Sequence, residues 1–177
     1  MTLPATESRS LPTNPDDAAK LGADEAAELY RETWDRQRGF PVDPAQIAIQ
    51  KGIRVFRFPF EPGDHRSGWL NPDTLDQIKI NSRNSLETQR NSLAHELGHW
   101  YSTKVQGRPL GSCNRDKTRV ITTPDDAYAD SFALALLMPE DVVRAARLLG
   151  YTPTAIALAL AVSVESAANR LLYLKIA

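Results

Sequence analysis

The chain has 177 residues, of which 42% are hydrophobic and 24% charged, so it can form one sizeable core but is short for two independent domains. A net charge of −1 provides no overall field that would attract DNA or an anionic membrane. The single cysteine, Cys113, excludes an internal disulfide, and no apolar run approaches the roughly 20 residues of a membrane span. The N-terminus also lacks the residue order of a secretory signal. We therefore expect a soluble cytoplasmic protein.

The N-terminal part of the chain is predicted to hold a tail and two helices. Residues 1–22 contain three prolines among polar residues, which predicts a flexible tail. Amphipathic spacing predicts a helix over residues 23–38. Asp43 as N-cap and Pro44 at the first helical position predict a second, shorter helix that ends at Gly52.

Three strand-like segments follow these helices. Residues 53–58, 67–70 and 76–81 alternate apolar and polar side chains and are rich in β-branched or aromatic residues. This pattern predicts a small antiparallel sheet. If one of its strands is a free edge beside a catalytic site, an extended peptide can pair with that strand through backbone hydrogen bonds.

The strongest motif is His-Glu-Leu-Gly-His at residues 95–99, on a helix predicted to begin at Asn84 as its N-cap. Two histidines four residues apart on a helix differ by about 40° around the axis and about 6 Å along it, so both imidazoles can point at one ion. Glu96 is placed to reach a water on that ion. Two of the three histidines of the chain fall in this motif, which favours a metal site over two solvated side chains.

The C-terminal half is predicted to be mostly helical. Residues 104–122 form a loop near the site, and Thr123 with Pro124 begins a helix that is apolar nearly all round until Pro139. A helix of that composition belongs in the core. Capping and turn residues then predict further helices over residues 140–149, 153–160 and 164–174.

A third ligand is needed, because catalytic zinc usually has three protein ligands and one water. The candidates are Cys113, His65 and the acids of the buried helix. Asp126 and Asp130 lie four apart on one helical face, so one could bind the ion while the other accepts a hydrogen bond from an imidazole. Burial of Asp130 would be costly without a partner. Asp125 is an alternative ligand, and helix capping alone would also explain Asp126.

These residues resemble the ImmA/IrrE family of metallo-endopeptidases. The resemblance rests on the motif at residues 95–99 followed by Ala-Asp-Ser-Phe-Ala at 129–133 and Leu-Leu-Met-Pro at 136–139. Residues 68–70, 78–81 and 160–171 fit the same pattern, so the likeness spans about residues 24–174. It implies an α+β, zincin-like fold. It also implies that His95, His99 and Asp126 bind zinc and that Glu96 is the general base.

The chain departs from the family pattern at two positions. The family usually has glutamate where this chain has Asp126 and Tyr128. Aspartate is shorter by one methylene, so the two helices must approach more closely, Asp125 must substitute, or the metal affinity must fall. Tyr101 and Tyr128 each lie two positions from a proposed ligand and are predicted to face away from it. His65 and Arg119 remain candidates for stabilising an oxyanion.

The resulting hypothesis is a zincin-like core at residues 23–150 with a helix-turn-helix-like subdomain at 151–177 packed on it. Its function would be zinc-dependent hydrolysis of a peptide bond in a protein partner. The resemblance implies a helix-turn-helix repressor in a regulatory, mobile-element or stress-response system. One alternative is a DNA-binding regulator. The charge of the C-terminal part disfavours it, because the chain after residue 139 has four basic and three acidic residues, a net charge of only +1. The other is a metal-binding scaffold that no longer cleaves.

Overall fold

The computed structural model of the chain describes residues 10–34, 39–111 and 123–176. Its α+β class agrees with the sequence prediction. The elements in chain order are α1 (Pro15–Thr33), α2 (Pro44–Gln50), β1 (Arg54–Phe58), β2 (Gly68–Leu70), β3 (Gln77–Asn81), α3 (Leu86–Trp100), a π-helical turn (Tyr101–Val105), α4 (Pro124–Leu137), α5 (Glu140–Leu148), α6 (Pro153–Leu160) and α7 (Val164–Tyr173).

Helix α1 begins well before residue 23, so the prediction of a tail up to residue 22 was wrong for its last part. Asn14 caps the helix by accepting a hydrogen bond from the amide of Asp16 at 2.8 Å, and Pro15 occupies the first turn. Proline at a helix start lacks only an amide proton that would have no intrahelical partner there. The prolines were interpreted as signs of a loop, whereas Pro15 is a helix-start signal. Residues 1–9 and 35–38 lie outside the described residues.

The sheet is mixed and not antiparallel throughout, which corrects the prediction. Its strand order is β1-β3-β2, with β1 parallel to β3 and β2 antiparallel to β3. A tight turn at Asn71, whose side chain accepts from the amide of Asp73, makes β2 and β3 a hairpin. The chain between β1 and β2 instead carries β2 to the far side of β3, so β1 runs in the same direction as β3. Among the described residues, β2 is therefore an edge strand.

Two glycines allow α4 to pack closely against both α1 and α3. A Cβ atom at Gly22 of α1 would lie 2.2 Å from the carbonyl oxygen of Tyr128. A Cβ at Gly98 of α3 would lie 3.2 Å from Ala129 Cα and from Phe132 Cβ. Side chains larger than hydrogen would separate these helices. Gly22 and Gly98 therefore set how closely α4 lies to its two neighbouring helices.

Helix α4 is the centre of the core, as its apolar composition predicted. It begins where predicted, since Thr123 Oγ1 accepts a hydrogen bond from the amide of Asp126 at 3.1 Å. Phe132 and Leu136 have no exposed surface. The cap of α3 differs from the prediction, because Ser85 and not Asn84 accepts from the first-turn amides.

Helices α5, α6 and α7 lie within a residue or so of their predicted bounds. Ser163 caps α7 by accepting from the amide of Ser166 at 3.0 Å. Within the described part of the chain, no single helix is long and apolar enough to cross a membrane, and α6 and α7 pass that test only as a pair bent by 112°. The division into a core and a C-terminal subdomain stays a prediction.

Candidate metal centre

Helix α3 presents the two histidines and the glutamate of its motif on a buried surface. His95, Glu96 and His99 are exposed by only 1%, 1% and 3%. The Nε2 atoms of the two histidines lie 3.1 Å apart, and the ring planes are inclined by 77°. Burial of neighbouring Leu93 and Leu97 turns this face of the helix inward. The imidazoles therefore converge on one point, as their spacing predicted.

The orientation of His95 is held by a residue of α4. Its Nδ1 atom lies 2.8 Å from Oδ1 of Asp130. When Nδ1–H donates to this carboxylate, the lone pair of Nε2 is directed toward His99. The Asp130 side chain is 43% exposed, so it is not the buried acid that the composition of α4 suggested. Its place beside His95 nevertheless gives it an orienting contact.

Asp126 completes a group of three potential ligands with the histidines. One ligand atom from each of His95, His99 and Asp126 lies within 4.8 Å of the others. Within the described residues, this is the group of histidine and acidic side chains that could hold a metal ion. The Thr123 hydroxyl donates to Oδ2 of Asp126 at 2.7 Å while accepting from its amide. The contacts of Asp126 with Thr123 at the start of α4 are therefore compatible with its place in the ligand group. Asp125 instead packs against Gly111.

The spacing of the two histidine nitrogens and the donor atoms of all three side chains suit zinc. Two nitrogen ligands about 2.0–2.1 Å from a tetrahedral zinc lie about 3.3 Å from each other, close to the 3.1 Å between the two Nε2 atoms. Two imidazoles and one carboxylate are also a common ligand set of catalytic zinc sites.

Glu96 lies directly against the edge strand β2. A Cβ atom at Gly68 would come within 3.1 Å of both Cγ and Oε1 of Glu96. A side chain at position 68 would therefore displace the glutamate or the strand. Gly68 lies in a segment that resembles the family, but no local pattern indicated its contact with Glu96.

Arg66 is a charged residue near the site that no sequence motif indicated. It forms a two-pronged ion pair with Asp64, with Nη2 to Oδ2 at 2.7 Å and Nε to Oδ1 at 3.0 Å. The pKa of Arg66 is raised, first by the hydrogen bond to Asp64 and also by the negative charges of Asp64 and Glu96. Only the folded chain brings this loop residue near Glu96. His65 is exposed and outside the ligand group, and Cys113 and Arg119 lie outside the described residues.

A second polar cluster lies on the other side of α4, against α1. Glu25 accepts hydrogen bonds from Arg108 at 2.8 and 2.5 Å and another from the Tyr128 hydroxyl. Burial and the charge of Glu25 raise the pKa of Tyr128, so its phenol keeps the proton that it donates. Tyr101 donates to Glu28 at 3.3 Å. Both tyrosines thus face away from the histidines, as predicted, whereas no local pattern indicated the buried Glu25–Arg108 pair.

Comparisons with known proteins agree with this fold and motif. Residues 48–172 match the model of a peptidase family described as the IrrE N-terminal-like domain. A solved structure, a Mycobacterium tuberculosis transcriptional regulator, aligns with a TM-score of 0.59 and 20% identity over 85% of this chain. The chain spans 55% of the length of that regulator, and at this identity the likeness concerns the fold. No curated protein matches the sequence significantly. Because the family model covers most of its length, the chain belongs to the ImmA/IrrE family of metallopeptidase-like proteins.

Proposed function

We propose that the protein is a zinc-dependent endopeptidase that hydrolyses a peptide bond in a protein partner. The observation that carries this proposal is the convergence of His95, His99 and Asp126 beside the buried carboxylate of Glu96. Two imidazoles and a carboxylate leave a tetrahedral zinc one position for water. A neighbouring carboxylate that does not itself bind the ion is the group that such hydrolysis needs as a base.

The protein residues have separate roles in this reaction. Bound zinc would polarise the scissile carbonyl and lower the pKa of the attacking water. Glu96 accepts the proton of that water and later donates it to the departing amine nitrogen. Asp130 holds the His95 ring so that Nε2 stays directed at the shared point. Gly68 leaves Glu96 the room it needs beside β2.

The edge strand β2 offers a place for the substrate backbone. Gly68 adjoins Glu96, and within the described residues β2 pairs only with β3. An extended peptide can add to the open side of such a strand through backbone hydrogen bonds. Half-buried Trp69 lies on the same strand and would contact the bound peptide. This arrangement supports a protein substrate that presents an extended loop.

The proposed partner is a helix-turn-helix transcriptional repressor, cleaved in the cytoplasm as part of a regulatory, mobile-element or stress response. This part of the proposal follows from the family resemblance. The name of the structural neighbour, a transcriptional regulator, is in keeping with a role in gene control. We expect selectivity for one folded partner, so generic peptides are poor test substrates.

The test is co-expression with repressors encoded near this gene, followed by detection of their fragments. Wild type should cut one repressor at a single bond, whereas Glu96→Gln should leave it intact while still binding zinc. The variant retains shape and removes only the base. Cleavage of no repressor by wild type, or equal cleavage by both forms, would contradict the proposal.

Two other functions fit the fold less well. For a DNA-binding regulator the last helices offer few accessible cations, since Arg170 is 4% exposed and donates to the Met138 carbonyl, and Arg144 bonds to Glu140. A salt-dependent shift of random duplex DNA would favour this function. If the protein is a scaffold that binds metal without cleaving, it should contain about one zinc per chain while the co-expressed repressors remain intact.

A further inference from the structure

A cavity of about 940 Å³ lies between α1, the junction of α4 with α5, and α7. Its lining includes Ala23 of α1, Ala135 of α4 and Arg170 of α7. Ala135 follows Asp126 by nine residues on α4, which separates them by about 14 Å along the axis and places them on opposite faces. The cavity is therefore distinct from the candidate metal centre. Its volume suits a small molecule, since ligand pockets typically measure about 300–1,000 Å³.

The guanidinium group of Arg170 is buried in the wall of this cavity. Arg170 is 4% exposed, and its Nε donates to the Met138 carbonyl at 3.1 Å. Within the described part of the chain, neither Nη atom of Arg170 forms a hydrogen bond or an ion pair, and neither is sealed from solvent. Both Nη groups therefore reach open space, which the cavity provides. Together they offer four N–H donors.

A buried guanidinium without a bonded counter-ion is costly. Burial lowers the pKa of Arg170, because the charged form loses its hydration. A guanidinium nevertheless stays protonated in proteins, so the positive charge remains in place. Fully buried arginine is rare unless it is paired. The position therefore calls for an anion that no described residue supplies within bonding distance.

The charges around the cavity leave a positive surplus. Three of the four acids in the lining are already in ion pairs: Asp24 with Lys20, Glu32 with Lys51, and Glu140 with Arg144. The fourth, Asp141, is exposed at the start of α5. Arg31 on α1 donates to the Ala27 carbonyl at 3.0 Å and has no acidic partner among the residues that the structure describes. A ligand with two negative charges would balance Arg31 and Arg170.

Aromatic side chains form another part of the lining. Tyr30 and Trp34 of α1 are nearly buried in the wall, whereas Tyr173 of α7 is exposed. The centre of the Tyr173 ring lies 5.5 Å from the guanidinium carbon of Arg170. An aromatic ring of a ligand can stack on such side chains. The cavity thus combines contacts for an aromatic body with donors for an anionic group.

We propose that this cavity binds a small aromatic phosphate monoester, with the Nη groups of Arg170 as the donors to its phosphate. A phosphate monoester carries a charge of about −1.5 to −2 at pH 7 and has three acceptor oxygens. This charge matches the two guanidinium groups that lack an acidic partner among the described residues. Arginine commonly binds phosphate through two parallel hydrogen bonds. Binding at this cavity does not depend on the peptidase activity proposed above.

Binding of phenyl phosphate to the full chain tests this site. A chelator is present, so that phosphate cannot bind to a metal at the histidines. We expect phenyl phosphate to shift the side-chain Nε–H resonance of Arg170. Benzoate and benzyl alcohol, which have the same ring with one charge or none, should bind at least about tenfold more weakly. An unshifted Arg170 resonance, or equal binding of benzoate or benzyl alcohol, would overturn the proposal.

Arginine variants supply the matched control. Arg170→Gln should weaken the binding of phenyl phosphate at least about 30-fold, and Arg31→Gln about three- to tenfold. Arg83→Gln, at an exposed arginine outside the cavity, should leave it unchanged. Circular dichroism establishes that each variant is folded. If Arg170→Gln does not fold, the Arg170 resonance of the wild type decides, and an effect of Arg83→Gln equal to that of Arg31→Gln would contradict the assignment.

Discussion

Asp130 on α4 lies 2.8 Å from Nδ1 of His95 on α3, so one helix sets the direction of a potential ligand on the other. The contact spans 35 positions of the chain and links the two helices on which the candidate metal centre is built. It leaves the opposite ring nitrogen of His95 directed at His99. The geometry of the site therefore depends on how α3 and α4 pack.

Removal of this orienting contact should weaken metal binding. We expect Asp130→Ala to lower zinc affinity by about 10- to 100-fold, because carboxylates that orient ligating histidines typically contribute that much. Competition with a chromophoric chelator measures the change. Asp125→Ala is the matched control, since Asp125 packs on Gly111 outside the ligand group. Equal losses in both variants would contradict a specific role for Asp130.

Zinc should stabilise the fold through Asp126. At a free concentration 100 times Kd, a ligand that binds only the native state adds about 2.7 kcal/mol. The midpoint temperature of thermal unfolding should therefore rise when zinc is added and fall again when a chelator removes it. Asp126→Asn should lose most of this shift, because an amide oxygen carries no charge. An undiminished shift in Asp126→Asn would mean that a different acid is the third ligand.

Gly68 should affect catalysis and not metal binding. The added Cβ of Gly68→Ala would push on Glu96 but not on the ligand group. Misplacement of a catalytic group by about 1 Å can cost about 100-fold in rate. We expect repressor cleavage to slow by about 10- to 100-fold while zinc affinity stays within twofold of wild type. A parallel loss of zinc affinity would show that β2 supports the ligands as well.

The buried pair of Glu25 and Arg108 should stabilise the packing of α1 against α4. Arg108→Met leaves the Glu25 carboxylate buried with Tyr128 as its remaining donor among the described residues, and breaking such a pair costs about 3–5 kcal/mol. Urea denaturation should show this loss. Glu25→Leu combined with Arg108→Met should recover much of it, because no uncompensated charge remains. If the double variant is no more stable than Arg108→Met, an isolated charge is not the cause.

Asp64 should give the protein a small stability term that disappears in acid. The hydrogen bond from Arg66 lowers the pKa of Asp64 to about 2. A carboxyl group whose pKa is lower in the folded state stabilises above its unfolded value, near 3.9, and that contribution is lost as the pH falls through about 2. Both side chains are partly exposed, so we expect no more than about 1 kcal/mol. Denaturation of wild type and Asp64→Asn should differ near pH 6 and converge in acid.

The sequence by itself determined the parts of this protein that depend on neighbouring residues. Helix starts such as Thr123 with Pro124 were predictable because caps act over three or four residues. The convergence of His95 and His99 was predictable because helical geometry relates positions four apart. Burial of α4 was predictable from its composition. The start of α1 at Pro15 was missed although its signal is local, because this proline follows two others in a polar stretch whose composition indicates a loop.

Only the tertiary structure decided which distant groups meet. The packing of the helices places Asp126 near both histidines and Asp130 beside Nδ1 of His95. From their sequence positions, either acid could have been the metal ligand or the acceptor for an imidazole. The tertiary structure also set the parallel pairing of β1 with β3 and joined Glu25 to Arg108 across 83 positions. Alternating hydrophobicity specifies that a strand exists but not its partner. Such contacts depend on the simultaneous packing of several elements, and no local pattern records them.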